Sequence, residues 1–72
     1  MTRTKIRLDT MSDVNKFVAA MTAVNDKVWL SDDDGNRVSA QSLLGAIYSM
    51  EWAHIYVYCE SNITVELMPW MV

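Results

Sequence analysis

The stretch from residue 27 to residue 47, KVWLSDDDGNRVSAQSLLGAI, decides the fold. Lys27-Val28-Trp29-Leu30-Ser31 alternates, with Val28 and Leu30 on one side and Lys27, Trp29 and Ser31 on the other, the period of a half-buried strand. Asp32-Asp33-Asp34-Gly35-Asn36 supplies turn chemistry, because Asp-Gly and Gly-Asn tolerate the positive φ values that tight hairpins require. Arg37-Val38-Ser39 returns as the second strand of that hairpin. Ser42 then offers a hydroxyl to an orphan amide at a helix start, and Leu43, Leu44, Ile47 and Met50 give that helix an apolar stripe. Gly45 breaks the stripe. A glycine costs a helix about 1 kcal/mol relative to alanine, so its presence implies close packing against a neighbour.

Working outward, Lys5-Ile6-Arg7-Leu8 alternates charged and apolar and is expected to be a first strand. Ser12 and Asp13 offer caps to a helix from Asp13 to Val24, in which Val14, Phe17, Val18, Met21 and Val24 recur at helical spacing. On the other side, His54-Ile55-Tyr56-Val57-Tyr58-Cys59-Glu60 alternates with β-branched and aromatic residues and predicts a last strand. The tail from Ser61 to Val72 carries two readings. Ile63, Val65 and Leu67 alternate like a strand, while Ser61 or Asn62 can cap a short helix that Pro69 stops.

The predicted order is β-α-β-β-α-β followed by a tail. Two amphipathic helices require an apolar sheet face. The expectation is therefore an α+β open-faced sandwich, a four-stranded antiparallel sheet with both helices on one face. Residues 1–72 form a single domain in this reading, with 61–72 an apolar C-terminal tail.

Seventy-two residues suffice for one domain, and a chain of this size buries only roughly 60% of the surface its unfolded form exposes. A composition 51% hydrophobic and 21% charged argues for a folded domain rather than disorder. No apolar run approaches the roughly 18 residues of a membrane span, and the start, MTRTKIRLDT, lacks the continuous apolar region of a secretory signal. A cytoplasmic protein without membrane contact is expected. Cys59 is the sole cysteine, so an internal disulfide and paired-cysteine metal spacings are excluded. A net charge of −3 disfavours nucleic acid, whose binding is driven by Lys and Arg releasing counterions, and favours a protein partner.

The acidic turn invites a calcium reading, but the register fails: with Gly35 at the loop glycine, the first and last ligand positions fall on Leu30 and Gln41, where Asp and Glu are needed. His54 stands alone, without a second His or Cys in sequence reach, and reads as a surface or packing residue rather than a catalytic base. Serine-nucleophile and phosphate-loop motifs are missing, so neither an enzyme nor a cofactor is expected. Asn62-Ile63-Thr64 matches a glycosylation sequon, which matters only in a secreted chain. Trp29, His54, Tyr56 and Tyr58 fall on the outer sheet face with Lys5, Arg7 and Arg37. Such a face can stack single-stranded nucleic acid, or it can meet a protein partner or the chain's own tail; on an acidic chain the protein readings are preferred. Leu67, Met68, Trp70, Met71 and Val72 either cover this face or join the apolar side.

The run from Val28 through Ile55 resembles the middle of the histidine-containing phosphocarrier protein family, HPr, of the bacterial sugar phosphotransferase system. In that family a hairpin leads into a pattern close to V-[NS]-x-[KQ]-S-[IL]-[ML]-G-[VAL]-[MI], and VSAQSLLGAI follows it nearly position by position. The element order is similar too, except that the family's last helix is truncated or replaced here by SNITVELMPWMV. The apolar surface this leaves is one that homodimerisation can cover. HPr carries phosphate on a histidine in a G-I-H-A-R-P segment at the start of its first helix, where this chain reads L-D-T-M-S-D; phosphate transfer by that route is not expected.

By the same resemblance, Ser42 aligns with a serine that a kinase phosphorylates in HPr proteins of Gram-positive bacteria, and Leu43, Leu44 and Ile47 become a docking patch beside it. A relative that lacks the histidine but keeps this serine binds a transcriptional repressor. The resemblance thus implies a non-catalytic regulatory or protein-binding module. The alternative is a phage or mobile-element inhibitor that uses Trp29, Tyr56 and Tyr58 or the acidic turn against a host protein. An active phosphocarrier using His54 is the least supported. Helix capping alone also explains a serine at this position.

Overall fold

In a computed structural model, residues 2–72 are described. The order is β1 (Thr2–Ile6), α1 (Met11–Thr22), β2 (Val28–Ser31), β3 (Arg37–Ser39), α2 (Leu43–Ser49), β4 (Ile55–Cys59), α3 (Thr64–Leu67) and a 3₁₀ turn at Met68–Trp70. The strands form one antiparallel sheet in the order β1-β4-β2-β3, so the last strand enters between the first two. This is the expected α+β open sheet, extended by a third, single-turn helix. The alternation in β4 explains its central place. Ile55, Val57 and Cys59 are buried while Tyr56 and Tyr58 face the other way, half-buried.

The inner face carries Ile6, Val28, Leu30, Ile55, Val57 and Cys59, and α1 packs Val14, Phe17 and Met21 onto it without residual exposure. The tail joins the same side: Ile63, Leu67 and Trp70 are buried, and the Trp70 ring meets Phe17 edge to face at 5.3 Å. That settles the two readings of the tail for a helix. Neither Ser61 nor Asn62 is its cap: that position is Ile63, which makes no side-chain cap bond, while Asn62 Oδ1, one residue earlier, accepts the Thr64 backbone amide at 3.0 Å, and Pro69 lies in the 3₁₀ turn that follows.

The first strand is shifted from the expected residues 5–8. Ile6 pairs with Ile55, the first residue of β4, so the ladder ends there although the alternation continues to Leu8. Beyond it the tail takes over the edge: the Arg7 amide donates to the Trp70 carbonyl at 2.8 Å and the Val72 amide to Lys5 at 3.3 Å. The first helix likewise starts earlier than expected. Its cap is Thr10, whose hydroxyl accepts the Asp13 amide at 3.1 Å while the Asp13 carboxylate accepts the Thr10 amide at 3.2 Å, a capping box that places Asp13 inside the first turn.

The second helix departs most. Its cap is Ser42, as predicted, but the expected Leu43, Leu44, Ile47 and Met50 stripe is not what it buries. Ala46 and Ser49 are inside, Ile47 and Met50 only partly, and Leu43 and Leu44 point outward. The cause is proximity. A β-carbon on Gly45 would lie 2.9 Å from the Ser39 carbonyl oxygen and 3.2 Å from Val38 Cβ, so the hairpin leaves no room for a side chain at this point of the helix.

Candidate interaction surfaces

The residues that carry the family resemblance have structural work around this approach. Val28 accepts the Ala40 amide at 2.9 Å, and Ala40 is fully buried. Gln41 Nε2 lies 2.9, 3.2 and 3.1 Å from the carbonyl oxygens of Met21, Val24 and Asp26, so one side-chain amide ties off the end of α1. Ser42 is half-buried, and its Oγ accepts the Gly45 amide at 3.3 Å. Gln41 escapes a reading of the sequence because its partners lie 15 to 20 residues away.

The outward side of α2 is apolar. Leu44 is 81% exposed, Tyr48 55% and Leu43 44%, and the Tyr48 ring meets Trp52 edge to face at 5.9 Å. Leu44, Tyr48 and Trp52 recur every fourth residue, continuing one line past the helix end. Ile47, expected in the same patch, is half-buried against the core instead.

The outer sheet face is built from two cross-strand rows. One runs Arg3, Tyr58, Trp29, Ser39, and the other Lys5, Tyr56, Ser31, Arg37. Trp29, Tyr56 and Tyr58 are thus brought together, as their phase predicts, and all three are half-buried. The Arg3 guanidinium lies 3.9 Å from the centre of the Tyr56 ring and that of Arg37 4.5 Å from the centre of Trp29. Arg3 is a residue the sequence reading passed over, although extending the Lys5 alternation two residues back puts it on this face. Arg7 lies past the strand end and pairs with Asp9 at 3.0 Å in an exposed salt bridge of little energetic weight. An open groove of about 620 Å³ runs over Trp29, Arg37 and Tyr58 and is bordered by Lys27, Asp26 and Glu60.

The acidic turn satisfies itself. Asp32 Oδ1 accepts the amides of Asp34 at 3.0 Å and Asn36 at 2.8 Å, and its Oδ2 accepts the Asn36 side chain at 2.7 Å. Those bonds, the Asn36 side chain foremost, hold the Asp32 carboxyl below its ordinary range. Gly35 takes φ +89°, the conformation the turn requires. Asp33 reaches away to His54 Nδ1 at 2.6 Å. Its carboxyl is also held low, first by His54 and then by the Tyr56 hydroxyl, and the same contact pushes Tyr56 upward. His54 therefore links the start of β4 to the hairpin turn.

Compared with protein-family models, curated proteins and solved structures, the chain matches none.

Proposed function

We propose that this chain is a non-catalytic, HPr-like binding module that docks another protein through the outward side of α2. The observation that carries the reading is the inverted helix: α2 buries Ala46 and Ser49 and turns Leu43, Leu44 and Tyr48 to solvent. Burial of large apolar and aromatic side chains is what concentrates energy at protein interfaces, and a partner presenting an apolar pocket would gain most from this line of residues. The HPr-like part of the proposal rests on the element order and on VSAQSLLGAI, and the non-catalytic part on the absence of a histidine from L-D-T-M-S-D.

Capture of a partner from bacterial lysate tests the surface when it is repeated with variants. Leu44→Asp and Tyr48→Asp are expected to abolish capture with an unchanged far-ultraviolet circular dichroism spectrum, whereas Trp29→Leu leaves it intact. The reverse pattern would move the contact to the sheet. Incubation with an HPr kinase and ATP tests the regulatory side. A mass shift lost in Ser42→Ala supports a switch at that serine, and no shift removes it. Phosphorylation by phosphoenolpyruvate and the general phosphotransferase enzyme, lost in His54→Ala, would disprove the non-catalytic reading.

A further inference from the structure

Averaged over the whole chain, a charge of −3 argues against a polyanionic ligand, but folding separates the charges. Of six basic residues, Arg3, Lys5 and Arg37 lie in the two outer rows and Lys27 borders the groove at their end. Nine acidic residues are present, yet among the described residues Arg3 and Arg37 form no ion pair. Each guanidinium lies over a ring instead. A guanidinium held this way keeps N–H donors at its edge for an anion and has already lost much of its rotational freedom. Of the carboxylates nearby, Asp33 is engaged by His54 and Tyr56 and also feels the Arg3 charge, Asp26 is engaged by Ser61, and Glu60 lines the groove beside Lys27.

The cations flank a band of three rings. Arg3 and Lys5 stand on β1 and Arg37 on β3, the two edges of the sheet, with Tyr56, Tyr58 and Trp29 on the central strands between them. Three strand spacings separate the edges by about 14 Å. An acidic peptide would use the cations but not the flat ring and guanidinium planes. A chain of phosphates that carries flat bases uses both, because bases stack on aromatic and guanidinium planes while the phosphates meet the flanking cations.

The geometry points to single-stranded nucleic acid as the ligand of this outer sheet face, with about two or three bases stacked on Tyr58 and on the guanidinium planes that lie over Tyr56 and Trp29, and phosphates held by Lys5, Lys27 and the N–H edges of Arg3 and Arg37. The surface is separate from α2, so the proposal does not depend on the protein-docking reading.

Fluorescence anisotropy with labelled oligo-dT and oligo-rU of about eight nucleotides tests it. Binding is expected to weaken as salt rises. Arg3→Gln and Arg37→Gln, exposed positions on edge strands, should each reduce the slope of log affinity against log salt by about 0.7. Trp29→Leu should weaken binding roughly five- to a hundredfold, and Leu44→Asp should leave it unchanged. Circular dichroism confirms that each variant is folded, and if Trp29→Leu is not, Tyr58→Leu replaces it. The proposal is overturned if the oligonucleotides do not bind, if a duplex or the free mononucleotide binds as tightly, if the arginine variants keep the full salt slope, or if an oligoglutamate peptide competes equally.

Discussion

The side-chain amide of Gln41, in the turn between β3 and α2, closes the end of α1. Its removal leaves the carbonyls of Val24 and Asp26 short of a donor, while that of Met21 keeps the Val24 amide at 3.1 Å. Gln41→Ala is therefore expected to lower the free energy of unfolding by about 1–3 kcal/mol, read from urea denaturation. Gln41→Glu should be worse, since a carboxylate would face those carbonyls at the negative end of a helix. A second residue-scale expectation concerns pH. Asp32 and Asp33 titrate below the ordinary 3.8, so the stability they contribute is present above that value and lost as pH falls through their lower native values. Because the Asn36 side chain is the main cause at Asp32, Asn36→Ala should move the Asp32 titration up toward 3.8, followed by carboxyl-carbon NMR.

Among the elements, α2 shows where pattern and fold part. Apolar spacing tells which side of a helix is greasy, but not which side has room. Here the hairpin approaches closely at Gly45, Ala46 and Ser49 are buried, Ile47 and Met50 pack partly against the core, and the leucines are left outside. Two substitutions separate these sides. Leu44→Asp should change the free energy of unfolding by no more than about 0.5 kcal/mol, whereas Ala46→Leu, at a position with no exposure, should cost about 1–3 kcal/mol through overpacking. Where the rule of alternation applies without such crowding, in β2, β3 and β4, the sequence placed the strands to within two residues and put Trp29, Tyr56 and Tyr58 on one face. The start of α1 is where local reading fails: the sequence suggests Ser12 and Asp13 as caps, whereas Thr10 is the cap and Asp13 is its capping-box partner inside the first turn.

At the scale of the whole molecule, a core this small depends on its last residues. Trp70 closes the inner face against Phe17, and the backbone on either side of it bonds to the edge of β1. Trp70→Ala is expected to cost about 3–5 kcal/mol, a large share of the roughly 5–15 kcal/mol that holds a small domain together. Thermal denaturation should then show a steep fall in midpoint or a chain that no longer unfolds cooperatively. With the tail committed to the helix side, the outer sheet face stays open, and the two candidate surfaces lie on separate parts of the fold.

By itself the sequence determined the order of the first six elements, the hairpin, the cap at Ser42 and the common face of the three rings, because period, turn chemistry and capping act within a few residues. Tertiary structure alone decided that Gln41 ties off α1, that Leu43 and Leu44 face solvent, that the tail packs under Phe17, and that Arg3 and Arg37 lie over rings. Each of these depends on how closely two distant segments approach, a distance that no local pattern encodes.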